Sequence, residues 1–154
     1  NMDMAHVPFR GSAPVLTELV AERLEVGMDN IPSALPFIRE GRIRAIAVTS
    51  AQRNPQLPDV PTLIEQGLPG FEATAWFGVL APAATPRPIV ARLGTELDAI
   101  GKEPEFRARL AASGAVPPGL TPDGGSSPEA FQAFIRAEIA KWADVVRRAR
   151  VTVE

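Results

Sequence analysis

His6-Val-Pro-Phe-Arg-Gly-Ser-Ala-Pro14 is the stretch on which the reading of this chain turns. Val7 and Phe9 alternate as in a short strand with one buried face. Gly11 allows a turn that a residue with a Cβ would strain. Ser12 is a good N-cap, and Pro14 is tolerated in the first turn of a helix. Val15, Leu16, Leu19 and Val20 then repeat at helical spacing, which predicts a helix over residues 13–24. A strand, a glycine and a capped helix in succession aim free backbone N–H groups at one point, a ready site for an anion. Arg10 lies inside that turn, although most arginines are simply solvated. An ordinary βα junction would read the same way.

Moving outward, Leu24-Glu-Val-Gly-Met28 suits a short strand with one covered face. Asp29-Asn30 closes it, and Asn30 can cap a helix with Pro32 in its first turn and Ala34, Leu35 and Ile38 inside. Gly41 fits just past its end. Ile43-Arg-Ala-Ile-Ala-Val-Thr49 is the clearest strand; its apolar centre, Ala45 to Val48, predicts cover on both sides. The order β-α-β-α-β calls for a parallel sheet with right-handed crossovers. Residues 50–61 form a proline-rich connection, followed by a short helix from Thr62 to Gln66 and a turn at Leu68-Pro-Gly70. Phe71 to Leu80 reads as two strand pieces, stopped by Pro82. The expected strands are 6–9, 25–28, 44–49 and 74–81.

Beyond Pro82 the pattern is helical. Thr85 caps and Pro86 starts a helix over 86–100 with Ile89, Val90, Leu93, Leu97 and Ile100 inside. A short helix over 104–113 ends at Gly114, and a loop follows to Ser127. Ser127-Pro128 starts a long helix over 128–148 with the stripe Phe131, Phe134, Ile135, Ile139, Trp142, Val145 and Val146. The expected domains are an α/β lobe over 5–82 and a helical segment over 83–154.

Composition narrows the function. A chain of 154 residues can hold a full core. A net charge of −2 gives no reason to expect nucleic acid as a partner. Cysteine is absent, which excludes disulfides, thiolate metal sites and a cysteine nucleophile. No apolar run reaches the length of a membrane span, and Asn1-Met-Asp-Met4 lacks the marks of a signal peptide. A chain that opens a few residues before a strand reads as part of something longer.

No catalytic set emerges. His6 is the only histidine and precedes a strand, where a structural or solvated role fits better than a triad. Asp29 stands at a strand end, where active-site carboxylates occur in α/β sheets, but it also serves as turn and cap and has no second carboxylate spaced to pair with it. Gly124-Gly125 lacks the glycine fingerprint and the lysine of a phosphate cradle. No metal and no cofactor are expected.

Several stretches taken together resemble one family. His6-Val-Pro-Phe-Arg-Gly resembles its HVPYKG element, and Asp29-Asn-Ile-Pro-Ser-Ala-Leu-Pro36 its DN-x-PSALP turn. Gly41-Arg-Ile-Arg-Ala-Ile-Ala-Val-Thr-Ser50, Leu57-Pro-Asp-Val-Pro-Thr62, Gly67-Leu-Pro-Gly70 and Trp76-Phe-Gly-Val-Leu-Ala-Pro82 follow in the family's order, as does Glu129-Ala-Phe to Lys141-Trp142. The family is that of the tripartite tricarboxylate transporter substrate-binding proteins, also called Bug proteins, which are extracytoplasmic receptors of bacteria. Two departures are Phe9-Arg10 for the commoner Tyr-Lys, and Pro122-Asp-Gly-Gly-Ser-Ser127, which lengthens a loop. Arginine keeps the charge and offers a planar fork suited to a carboxylate.

The resemblance implies a periplasmic-binding-protein-like (type II) α/β lobe with a parallel-rich sheet, followed by a helical C-terminal tail. Family members are about double this length, with two lobes clasping a carboxylate. This chain resembles the second lobe plus the return into the first; the first lobe's N-terminal half and the signal peptide are missing. The implied function is non-enzymatic: a periplasmic receptor for a small di- or tricarboxylate that feeds membrane permease subunits. The site residues are Phe9, Arg10, Gly11, Ser12, Ala13, Asp29 and Asn30. The helix start at Gly11 to Pro14 would hold one carboxylate by backbone N–H groups, helped by Arg10 or water, and Asp29-Asn30 would line the cleft. The rivals are a sensor that docks on a membrane kinase and an α/β enzyme using Asp29 as a base. The stripes of the helical tail also need cover, because each large apolar side chain left in water forfeits about 1.5–3 kcal/mol. Self-association of the chain is the expected answer.

Overall fold

The computed structural model describes residues 4–149. Five helices follow in order: α1 (Ser12–Val20), α2 (Ile31–Arg39), α3 (Arg87–Lys102), α4 (Pro104–Ala112) and α5 (Pro128–Ala149). The chain divides into two compact units. One comprises the residues up to Phe77 with Leu110–Ala115; the other comprises Gly78–Arg109 and the residues from Val116 on. The division therefore falls before Pro82 and again inside α4.

In the first unit Leu16 of α1 and Ala34 and Leu35 of α2 are buried, together with Val48 and Leu57. Helix α1 stops at Val20, short of the expected residue 24. Glu22 turns to a positive φ of 57°, and the Arg23 N–H donates back to the Glu18 carbonyl at 2.9 Å. The Arg23 guanidinium also holds the Glu18 carboxylate, so the chain curls where a further turn was expected. Helix α2 begins as its sequence dictates, with Asn30 at the N-cap and a proline in its first turn. Gly41 follows its end at φ 69°.

The expected parallel-rich sheet is not seen among the described residues. Among the described residues the one β-bridge is parallel and isolated, Val48 to Thr62. It rests on Val48 N–H to the Pro61 carbonyl (2.9 Å) and Leu63 N–H to the Val48 carbonyl (3.0 Å). On the other side Ala73 N–H donates to the Thr49 carbonyl at 3.0 Å, and the Thr49 hydroxyl to the Ala73 carbonyl at 2.6 Å. Each neighbour touches 44–49 and departs. Pro58 and Pro61 have no N–H with which to extend a ladder. After Thr62 the chain winds into turns, Gln66 N–H to Thr62 and Gly67 N–H to Ile64, in place of the short helix expected there. Segments 6–9, 25–28 and 74–81 have no ladder partner among the described residues. Ala45–Val48 is consequently covered unevenly along its length: Val48 is 5% exposed, Ile46 58%. Val7, Val26 and Met28 are exposed for the same reason.

The segment Leu110–Ala115 is held in the first unit by a residue sixty positions away. Asn54, buried, donates from Nδ2 to the Gly114 carbonyl at 2.9 Å, while its Oδ1 accepts the Gln56 N–H at 2.9 Å.

In the second unit α3 packs on α5. Pro86, not Thr85, occupies the N-cap of α3. Ser127 caps α5 as its sequence suggests, its Oγ accepting the Ala130 N–H at 3.1 Å. The Phe131 and Phe134 rings stack with centroids 6.4 Å apart. The loop before α5 is clasped onto α3 by Lys102, whose Nζ lies 2.7 Å from Asp98 and 2.5 Å from Asp123. Asp98 also accepts the Ser126 N–H at 2.8 Å, and Arg107 donates to the carbonyls of Gly101 and Gly124, each at 3.2 Å. The hydrogen bond from Lys102, seconded by Thr121, draws the Asp123 carboxyl down to about 2. The same two carboxylates, Asp123 foremost, push Lys102 above its ordinary value. A Cβ at Gly125 would meet Asp98 Oδ1 at 2.0 Å and Lys102 Cε at 2.4 Å, so the clasp closes only around glycine.

Candidate functional site

Helix α1 starts on a backbone shape that belongs to glycine. Gly11 is the N-cap residue, at φ 95° and ψ 177°. Side chains with a Cβ essentially never enter that region. Ser12, expected as the cap, is instead the first residue inside the helix, and no side chain caps α1 from its own N-cap. Ser12 and Ala13 therefore present backbone N–H groups that meet no acceptor among the described residues. Pro14 has no N–H to offer. Free donors at the positive end of a helix dipole are the chemistry that suits an anion.

The Ser12 hydroxyl is otherwise engaged. It donates to Asp29 Oδ1 at 2.5 Å, and the Asn30 N–H donates to the same oxygen at 2.8 Å. Asp29 thus joins the start of α1 to the residue that caps α2. Its second oxygen, Oδ2, is closed to solvent and receives no donor among the described residues. Asn30 is half-buried, and its side-chain amide makes no cap bond. Arg10 is exposed, and among the described residues its guanidinium meets no carboxylate. Phe9 is half-buried, whereas Val7, expected on the same buried face, is exposed.

The structure therefore brings Gly11, Ser12, Ala13, Asp29 and Asn30 together through chain adjacency and the two hydrogen bonds to Asp29. Phe9 and Arg10 precede the turn and are tied to the others by the chain alone. Beside the turn, α1 and α2 enclose an open hollow of about 430 Å³, lined by Ser12, Ala13, Leu16, Thr17, Ser33 and Phe37. Ser33 and Phe37 were not foreseen. Their signal was present: on α2 they are four residues apart and share one face. Among the described residues no group of carboxylates and histidine could hold a metal ion, and no helix is long and apolar enough to cross a membrane.

Comparison with known proteins agrees with the recurring motifs. The model of the tripartite tricarboxylate transporter family receptor matches residues 1–150. A UPF0065 protein from Pseudomonas sp. (strain P51) is 38% identical over 95% of this chain and 42% of its own length. Among solved structures, R. palustris Rpa4515 with adipate is 40% identical at a TM-score of 0.85, over 95% of this chain and 47% of that one. MatC from Rhodopseudomonas palustris, with bound malate, is 39% identical at a TM-score of 0.82, over 94% and 48%. The periplasmic binding protein BugD is 33% identical at a TM-score of 0.87, over 99% and 50%. The chain thus spans about half the length of these four relatives. BugD is by name a periplasmic binding protein, and the matching family is one of transporter receptors. The chain belongs to the tripartite tricarboxylate transporter receptor family.

Proposed function

We propose that this chain is the carboxylate-holding part of a periplasmic receptor that delivers a small di- or tricarboxylate to the permease subunits of a tripartite transporter. Residues 5–82 are the ligand-binding lobe, and residues 83–154 are the segment that returns to the other lobe of a longer receptor. The observation that carries the reading is the start of α1: a glycine-only turn leaving the Ser12 and Ala13 N–H groups without acceptors among the described residues. A carboxylate placed there gains two charge-assisted hydrogen bonds and a favourable helix dipole. Arg10, exposed just before Gly11, adds a cation, and the Asn30 backbone N–H is tied to Asp29. Phe9 supplies an apolar wall before the turn.

The adipate and malate held by the two R. palustris relatives support a dicarboxylate as the first ligand to try. Crystals grown with adipate or malate should place one carboxylate on the N–H groups of Ser12 and Ala13. A dicarboxylate seated away from this turn would refute the site. Affinity capture with the permease subunits, compared with a membrane kinase as bait, tests the delivery role.

A further inference from the structure

We infer that Asp29 is a positioning residue of this site: it prepares the anion turn through Ser12 and Asn30 and makes no contact of its own with the ligand. The inference rests on the proposed function above and assigns Asp29 a role different from that of a cleft-lining contact. Three observations carry it. Oδ1 is already met by two donors, the Ser12 hydroxyl at 2.5 Å and the Asn30 N–H at 2.8 Å. Oδ2 is closed to solvent, so a ligand arriving from solvent does not reach it. Helix α1 has no capping side chain at its own N-cap.

Together these make Asp29 a surrogate cap supplied from seventeen residues downstream. An ordinary cap accepts a hydrogen bond from a first-turn backbone N–H and consumes it. Asp29 accepts from the Ser12 hydroxyl instead. Its charge lies near the α1 N-terminus, where negative charge is favourable, yet the Ser12 and Ala13 N–H groups stay free. The link also restrains Gly11, the residue with the most conformational freedom in the turn. By the Asn30 bond the same oxygen fixes the entry to α2, so both sides of the site depend on one carboxylate. The uncompensated Oδ2 is the cost of this arrangement, since a buried acceptor without a donor is unfavourable.

The test is a double-mutant cycle read by amide NMR shifts of Ala13 while malate is added to the full chain. The wild type should show a saturable shift. Ser12→Ala and Asp29→Ala should each weaken malate about tenfold, the size of one charge-assisted hydrogen bond. The double variant should be no weaker than Asp29→Ala alone, because Ser12→Ala removes only a link that Asp29→Ala has already broken. Ser12→Thr, which keeps the hydroxyl, should restore binding, and Asp29→Asn, which keeps an acceptor without charge, should fall between. Losses that multiply in the double variant would mean that Asp29 touches the ligand itself and would overturn the inference. So would tighter binding in Asp29→Ala, the mark of simple charge repulsion. A wild type with no saturable shift at Ala13 would instead refute the anion turn, and this role of Asp29 would fall with it.

Discussion

At the scale of single residues, the proposed site depends on where one glycine puts the backbone. Gly11 at φ 95° and ψ 177° has nothing within 4 Å of the place a Cβ would occupy. Any penalty for a side chain there is therefore one of backbone strain, with no clash to confuse it. Gly11→Ala should destabilise the protein by about 1–3 kcal/mol. Urea unfolding followed by circular dichroism measures this, and an unchanged midpoint would show that the turn does not enforce its φ. That Gly11 makes a turn is legible in the sequence. The shift of the cap from Ser12 to Gly11 is not, because a serine can serve as cap or as first helical residue. The choice went to the arrangement in which the Ser12 hydroxyl reaches Asp29, a partner that local sequence does not announce.

At the scale of elements, five helices were readable, while the short helix expected from Thr62 to Gln66 is a run of turns and the expected strands find no ladder among the described residues. Helices α3, α4 and α5 carry prolines at or near their starts, and each begins close to where these predict. The strand segments have β-like composition, but a strand exists only through a neighbour that stays alongside it, and here the neighbours touch once and leave. The clasp between α3 and the loop before α5 gives an element-scale prediction. Asp123 titrates below its ordinary 3.8, at about 2, because Lys102 and Thr121 hydrogen-bond its charged form. A carboxyl depressed in the folded state adds stability above its ordinary value and loses it as pH falls through the folded one. The clasp should therefore hold at pH 5, weaken below pH 3.8 and be spent near pH 2. The carboxyl-carbon shift of Asp123 reports this directly. A midpoint near 3.8 in the wild type, or no rise in Lys102→Met, would contradict the clasp.

At the scale of the whole molecule, the apolar surface left open is the main physical fact. Ile89, Leu93, Leu97 and Ile100 of α3 are exposed, as are Ile139, Trp142, Val145 and Val146 of α5. Phe77, Val79 and Leu80 are more open still. Monomeric proteins rarely leave contiguous apolar patches of this kind uncovered. Full burial of such a side chain is worth about 1.5–3 kcal/mol; those on α3 and α5 are roughly half open, so each has part of that still to gain, and several together approach the stability of a domain. The chain should self-associate at micromolar concentration, with a mass by light scattering above 16.4 kDa. Trp142→Lys should shift that mass downward. A monomer across the concentration range would rule self-association out.

The sequence by itself determined the five helices that form, the glycine turn before α1, the capping position of Asn30 and, through its ordered motifs, the family. These depend on residues close together along the chain, where propensity, proline geometry and N-cap chemistry act directly. Only the tertiary structure decided that Asp29 serves the start of α1, that Asn54 holds Gly114, and that Lys102 gathers Asp98 and Asp123. It also decided that 44–49 meets its neighbours at single points and not along a sheet. Each of these is set by which distant segment comes to lie within hydrogen-bond reach. A side chain can advertise a donor or an acceptor, but the fold selects the partner.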